Sequence, residues 1–266
     1  MPWITRGIRE GIVTTRYPRR PDSYGQGFRA TVRPVEPREP LEPAGKPALR
    51  EIAAVCPTGA IAVTDHLQVD AGRCVACGRC VELAPEWFAY DPDFEVATLN
   101  RELLVVPPDD EGSIELSLLR ADLDRRVKAL RRSIHIRHVD CGSDGAEEWE
   151  IAALNNPIYD IQRLGVYFTA SPRHADLLLV TGAGSIAMAE VLRHTYDVMP
   201  DPKIVIAVGT DSISGGLFAD SYATLGGAAQ ILRPDVFIPG SPPSPFSILH
   251  GIALGIGLIG SQENTK

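Results

Sequence analysis

Three of the five cysteines in this 266-residue chain are Cys74, Cys77 and Cys80, a C-x2-C-x2-C run, and a fourth, Cys56, precedes Pro57 eighteen residues upstream. The thiolate is the soft, anionic form of cysteine that binds metal. Three thiolates at successive x2 spacing can turn around one iron-sulfur cube while a distant fourth closes the site. Zinc is the chemical competitor for four thiolates, but its sites usually pair separate C-x2-C units. The repeated spacing therefore favours a 4Fe-4S cluster, with Cys56, Cys74, Cys77 and Cys80 as its cofactor-binding and metal-ligating residues. Cys141 stands apart from this set.

The same positions indicate how many clusters to expect. In the bacterial pattern C-x2-C-x2-C-x3-C-P the fourth cysteine of each run serves the other cluster. Cys56-Pro57 reads as the tail of a first run whose remaining positions are Lys46, Leu49 and Ile52. In the second run the fourth position is Ala84, still followed by Pro85. One cluster keeps four ligands and the other has lost all of them.

The elements that must position these residues change along the chain. Trp3, Ile4, Ile8 and Ile12 recur at helical spacing with Arg6 and Arg9 between them, which predicts a short amphipathic helix. Prolines crowd the segment from Tyr17 to Pro47 and favour an extended arm. Residues 99–132 read as a connector, with strand-like runs at Leu103–Val106 and Ile114–Leu118. A helix follows, with Leu116, Leu119, Leu123, Val127 and Leu130 on one face. Beyond residue 133, the aliphatic runs Leu177–Val180, Ile204–Val208 and Val236–Ile238 alternate with helical segments, the pattern of a parallel α/β sheet. Ligands usually sit at the carboxyl ends of such strands, here the loops Thr181–Ser185, Gly209–Gly216 and Pro239–Pro245. Gly182-x-Gly184 lacks a third spaced glycine and gives little support to a dinucleotide site.

Composition narrows the class. With 26 basic and 34 acidic side chains, a formal charge of -8 and 44% hydrophobic residues, the chain reads as globular and argues against bulk nucleic-acid binding. The longest uncharged apolar stretch, Ile248 to Ile259, is too short to span a membrane and is broken by glycines and His250. The amino terminus has no secretory-signal pattern, so a cytoplasmic protein is expected. Residues 1–50 are nevertheless basic, an arm suited to an acidic partner or an anionic membrane surface.

Longer segments carry a family resemblance. Tyr17-Pro18, Phe28-Arg29-Ala30 and Cys56-Pro57-Thr58-Gly59-Ala60-Ile61 resemble the ferredoxin-type subunit of respiratory complex I and of membrane-bound [NiFe] hydrogenases of the formate hydrogenlyase type. From His138 to about Gly257 the chain resembles the small, B or 20 kDa, subunit of the same group. Its segments Val139-Asp140-Cys141-Gly142-Ser143, Asn156-Pro157-Ile158-Tyr159-Asp160 and Ser171-Pro172-Arg173-His174-Ala175-Asp176 carry that likeness, as do Ile213-Ser214-Gly215-Gly216 and Val236-Phe237-Ile238-Pro239-Gly240. The resemblance implies two subunits fused in one chain: an α+β ferredoxin-like module followed by an α/β flavodoxin-like domain with a parallel sheet. The expected units are an arm at 1–45, a cluster module at 46–98, the connector at 99–132 and the small-subunit-like domain at 133–262.

The resemblance also implies a proximal 4Fe-4S cluster whose cysteines would stand where this chain has Asp144, Glu147, Asp211 and Ser241. Cys141 lies three residues before the first of these positions and does not replace it. The oxygen-bearing residues could bind a hard cation, fill the vacated space with hydrogen-bonded polar groups, or move protons through Glu147 or Glu148; polar filling is the expectation. His174 reads as a structural residue before a strand, and His135 and His138 as surface residues rather than metal ligands.

The expected function is a non-catalytic, electron-transferring iron-sulfur subunit of a complex I-like or hydrogenase-like oxidoreductase, with one 4Fe-4S cluster. Its partners would be a large hydrogenase-like subunit and membrane-arm subunits, in a hetero-oligomer peripheral to the cytoplasmic side of the inner membrane. The alternative is a structural scaffold in such a complex without through-going electron transfer.

Overall fold

The computed structural model describes residues 2–20, 23–25, 27–35, 46–107, 112–130 and 133–259. Helix α1 (Pro2–Glu10) forms as its periodicity predicts, yet none of its residues is buried. Trp3 and Ile8 are 72% and 78% exposed, so its apolar face has no cover within the described chain. Ile12 lies beyond the helix end.

The cysteine-bearing region is a mixed α+β arrangement. Strand β1 (Val32–Pro34) comes from the arm; helix α2 (Lys46–Val55) and strands β2 (Ile61–Val63) and β3 (Leu67–Asp70) follow. Helix α3 (Arg79–Leu83), β4 (Phe88–Tyr90) and β5 (Val105–Val106) complete it. β1 pairs antiparallel with β4, and β2, β3 and β5 form a second antiparallel sheet. The arm is thus not extended throughout. It contributes a strand, and Pro47 opens α2, because a proline in a first helical turn removes an N–H that has no intrahelical acceptor. Residues 36–45, the last part of the expected arm, lie outside the described residues.

The connector differs from expectation in one respect. Ile114–Leu118 belongs to helix α4 (Gly112–Ala129), not to a strand, and only Val105–Val106 of the first run is extended. The periodicity that placed Leu116 to Leu130 on one face simply begins earlier. Leu123 is buried, and Leu116, Val127 and Leu130 pack beside it on the main core.

The carboxyl-terminal half contains β6 (Ile134–Asp140), α5 (Ala146–Ala153), β7 (Val166–Phe168), β8 (Leu177–Thr181) and α6 (Ile186–Asp197). β9 (Ile204–Val208), α7 (Thr210–Ser214), β10 (Val236–Ile238) and α8 (Pro245–Gly255) follow. Its five strands are all parallel, in the order β7-β6-β8-β9-β10. Renumbered within the domain this is 2-1-3-4-5, the flavodoxin-like order, whose chain direction reverses between β6 and β8 and leaves a crevice at their carboxyl ends. β8 and β9 are buried along their whole length, as parallel strands covered on both faces must be.

Helix α8 lies under the sheet with every residue buried. Ser244 caps it by accepting the Ser247 N–H, and Pro245 occupies its first turn. Gly251 is required inside it because a Cβ would run into Ile238. His250 is the one titratable residue of this helix, and its Nδ1 accepts the Ala97 N–H at 3.3 Å.

The two halves share a core. Tyr17 and Phe28 from the arm, Phe94 from the segment after β4, and Phe246 from α8 meet edge to face or tilted, with centroids 5.1–6.3 Å apart. Thr98 and Phe237 exchange both backbone hydrogen bonds. Ala71 and Leu104 pack with Ala207, Ile213 and Phe237. The sulfur-rich loop is therefore held against the edge of the parallel sheet.

Candidate metal centre

Cys56 follows the last turn of α2, Cys74, Cys77 and their neighbours form the loop after β3, and Cys80 lies in the first turn of α3. Together they line one small apolar cavity of about 20 Å³, with Val32, Ala60, Ile61, Val69 and Val75 as its walls. The loop reaches this shape through left-handed backbone at Ala76 (φ 49°) and Gly78 (φ 77°). At Gly78 any Cβ would collide with the Tyr90 hydroxyl, so both the dihedral and the space select glycine.

Backbone amides point at the sulfurs. The Ala60 N–H donates to Cys56 Sγ at 3.3 Å and the Ala76 N–H to Cys74 Sγ at 3.4 Å. The base of the loop is fixed by Asp70, which accepts two hydrogen bonds from Arg101 at 2.8 and 2.7 Å and a third from the Gly72 N–H. Burial pushes the Cys74 thiol up and carries Cys80 up to about 11, partly offset by the amide donors. Thiols in such a setting ionise only when a cation compensates, which is what a bound metal centre supplies. Among the described residues no three Cys, His, Asp or Glu side chains close on one metal ion; the four cysteines line a common cavity.

The positions expected to have lost thiols are filled with apolar packing. Leu49 and Ala84 are each 1% exposed, and both belong, with Phe88, to the core of this region, against which Ile52 packs. Lys46 turns outward to Asp65, 3.2 Å away.

A second constellation occupies the crevice at the ends of β6 and β8. Asp140 accepts the Gly142 and Ser143 N–H groups, both at 2.8 Å, and the Asp144 carboxylate accepts the Ala146 N–H at the start of α5. Glu148 accepts from the Ser143 hydroxyl at 2.7 Å and from the Thr181 hydroxyl. Having given its proton to Glu148, Thr181 must accept from His138 Nε2–H, 3.0 Å away. His138 is thus not the surface residue expected. Burial lowers its pKa, and the three-residue step from His135 puts the two rings on opposite faces of the strand. His135 instead lies 3.7 Å from Asp176, and the His174 side chain is exposed, without a place in either constellation.

Glu147 is the contrast to its neighbour. It is 2% exposed, and its Oε2 has no hydrogen-bond partner. Burial, then the nearby Asp211, Asp144 and Glu148, push its pKa up to about 7. Asp211, 8% exposed, is raised to about 6 by burial and by Asp144. Asp144, Glu147 and Asp211 therefore interact, whereas Ser241 lies exposed at the surface. Cys141 is fully buried in an apolar cluster, where desolvation raises its thiol to about 12. Sequence reasoning missed Thr210, which connects the two constellations: its hydroxyl donates to the Cys74 carbonyl at 3.0 Å and accepts the Gly240 N–H at 3.4 Å. Its place just after a parallel strand, in a loop already singled out, was the available signal.

Comparison with known proteins follows this division. Residues 144–254 match the family described as NADH ubiquinone oxidoreductase, 20 Kd subunit. The Pyrococcus furiosus protein named "Probable membrane-bound hydrogenase subunit mbhJ" is 42% identical over 141 residues, covering 52% of this chain and 84% of that relative. The chain belongs to the 20 kDa subunit family. The match to this family spans Glu147, Thr210, Asp211 and Ser241. Formate hydrogenlyase subunit 7 of Escherichia coli is 43% identical over 140 residues, and the chain spans 55% of its length. A chain of the archaeal membrane-bound sulfane sulfur reductase, a respiratory membrane complex, is 31% identical with a TM-score of 0.44, covering 52% of this chain and 76% of that one. Ahead of the 20 kDa family region, residues 69–114 match the 4Fe-4S single cluster domain of Ferredoxin I, a stretch that contains Cys74, Cys77 and Cys80.

Proposed function

We propose that this chain is an iron-sulfur electron-transfer subunit that holds one 4Fe-4S cluster through Cys56, Cys74, Cys77 and Cys80. The observation that carries the reading is that all four cysteines line one apolar cavity, beside a core in which Leu49, Ile52 and Ala84 leave no thiol for a second cluster. Zinc sites usually pair separate C-x2-C units, whereas Cys74, Cys77 and Cys80 follow at successive x2 spacing. The match to a single-cluster ferredoxin domain supports the same stoichiometry.

When bound, the cluster supplies reversible one-electron exchange. The chain supplies the rest. Val32, Ala60, Ile61 and Val69 exclude water, and the Ala60 and Ala76 amides stabilise charge on sulfur. Asp70 and Arg101 fix the ligand loop, and Thr210 ties it to the sheet. The Asp144, Glu147, Asp211 and Ser241 positions hold oxygen in place of sulfur, so no proximal cluster is assigned there.

The names of the relatives support membership of a membrane-associated hydrogenase-like or complex I-like assembly, with a large subunit and membrane-arm subunits as partners. Among the described residues no helix is long and apolar enough to cross a membrane. We place the chain as a peripheral subunit on the cytoplasmic side of the inner membrane, with α1 offering Trp3, Ile4 and Ile8 to that surface or to a partner. The units proposed are 1–45, 46–98, 99–132 and 133–262, with the second a ferredoxin-like module. A scaffold role is the second reading, favoured by the absence of thiols in the rear crevice. Cys77→Ala within the assembled complex separates the two: loss of turnover with assembly intact supports electron transfer, and unchanged turnover supports the scaffold.

A further inference from the structure

Three arginines from separate parts of the chain surround the cysteine cavity. Arg79 lines a pocket together with Cys56, Cys77 and Cys80. Arg73 directly precedes Cys74 and reaches the turn after Cys56, where a Cβ at Gly59 would lie 3.9 Å from its Nη1. Arg29, from the arm, stands 5.1 Å from the centre of the Tyr90 ring, and the Tyr90 hydroxyl packs on Gly78, between Cys77 and Cys80 in the loop. All three arginines are exposed, as is Cys77.

No carboxylate neutralises them. Arg6, Arg101, Arg125 and Arg126 are each held in ion pairs, whereas among the described residues no acidic side chain lies in ion-pair range of Arg29, Arg73 or Arg79. Glu82, the acidic residue of α3, is exposed and bonded to none of them. On a chain of formal charge -8, three unpaired arginines around one cavity call for an anionic centre within it. Thiolate-held iron-sulfur clusters are such centres, and their potentials follow net charge, hydrogen bonding and solvent exposure.

We propose that Arg29, Arg73 and Arg79 are the counter-charge of the cluster bound by Cys56, Cys74, Cys77 and Cys80, positioning residues that raise its electron affinity without ligating it. The inference rests on the single-cluster reading above. Reduction adds one electron and one negative charge to the cluster, and no bond at the arginines forms or breaks. At roughly 10 Å and an effective dielectric constant of about 40, between a surface site and bulk water, one positive charge changes the electron affinity by roughly fourfold. Salt weakens this, because the Debye length is about 10 Å at 0.1 M. The three together then contribute roughly tenfold, which for one electron corresponds to about 59 mV.

The test is anaerobic reductive titration of the full-length chain with its cluster, followed by electron paramagnetic resonance. Changing Arg29, Arg73 and Arg79 together to glutamine should lower the midpoint by about 59 mV, and lysine at all three should restore most of it. The gap between the unmodified chain and the glutamine variant should narrow between about 0.01 M and 1 M salt, as the Debye length falls from about 30 Å to about 3 Å. Arg193→Gln, at an exposed arginine of α6, should leave the midpoint in place. An unchanged midpoint in the triple glutamine variant, an equal fall in Arg193→Gln, or a gap indifferent to salt overturns the inference. If the triple variant does not hold a cluster, the single changes Arg73→Gln and Arg79→Gln decide: each should cost at least about twofold in electron affinity, or about 18 mV, and no shift in either contradicts the proposal. Absence of a cluster from the unmodified chain overturns the single-cluster reading, and the inference with it.

Discussion

The Thr210 hydroxyl donates to the carbonyl oxygen of Cys74 at 3.0 Å, a buried hydrogen bond between residues 136 positions apart. Because Thr210 also pairs with Gly240 through its N–H, at 2.7 Å, it fastens the cysteine loop to two loops at the carboxyl edge of the parallel sheet. Thr210→Val keeps the shape but strands the carbonyl, a loss of about 1–3 kcal/mol. Thr210→Ser should restore most of it. Urea denaturation measures the loss, and a changed resonance line shape in valine but not serine would show that the ligand loop itself moves.

Glu147 makes stability depend on pH in a definite direction. Its folded pKa, about 7, lies above its ordinary value. Its favourable contribution is therefore complete below the ordinary carboxylate range and lost as pH rises through about 7. Glu147→Gln should match the unmodified chain near pH 5 and exceed it by roughly 1–3 kcal/mol near pH 8.5. Equal urea midpoints at the higher pH would show that the carboxyl is not desolvated.

His250 acts in the opposite sense. Burial lowers it to about 4 while its Nδ1 accepts the Ala97 amide. The stability it confers is present above the ordinary histidine range and is lost as pH falls toward 4, by an amount on the order of 3 kcal/mol. In His250→Gln, whose side-chain oxygen can accept the same amide, this acid-side loss should shrink. Parallel pH profiles of the two proteins would contradict the assignment.

Leu49 fills space in the core beside the cysteines. Leu49→Ala should cost about 2–5 kcal/mol, as for other large-to-small core changes. The bolder experiment installs Lys46→Cys, Leu49→Cys, Ile52→Cys and Ala84→Cys together. If these are the vacated ligand positions of a second cluster, iron content after anaerobic reconstitution should double, and a variant that binds no extra iron refutes that lineage of the fold.

Much of this was legible in the residues themselves. The runs Ile204–Val208 and Val236–Ile238 are strands with the expected ends, because fully buried parallel strands are aliphatic throughout. The four cysteines singled out by their spacing line one cavity. Ile114–Leu118 misled because five residues can fit a strand or the start of a longer helix, and only the continuing 3.6-residue period decides. His138 and Thr210 were obscured for another reason. Their partners, Thr181 and Cys74, are 43 and 136 residues away, and no local pattern encodes such pairs.

The most direct measurement is iron and acid-labile sulfide per chain after anaerobic purification, read with low-temperature electron paramagnetic resonance of the dithionite-reduced protein. The account predicts a single 4Fe-4S cluster, lost when Cys74 or Cys77 is changed to serine and unaffected by Cys141→Ser. Zinc in place of iron, or two interacting clusters in the unmodified chain, would contradict it.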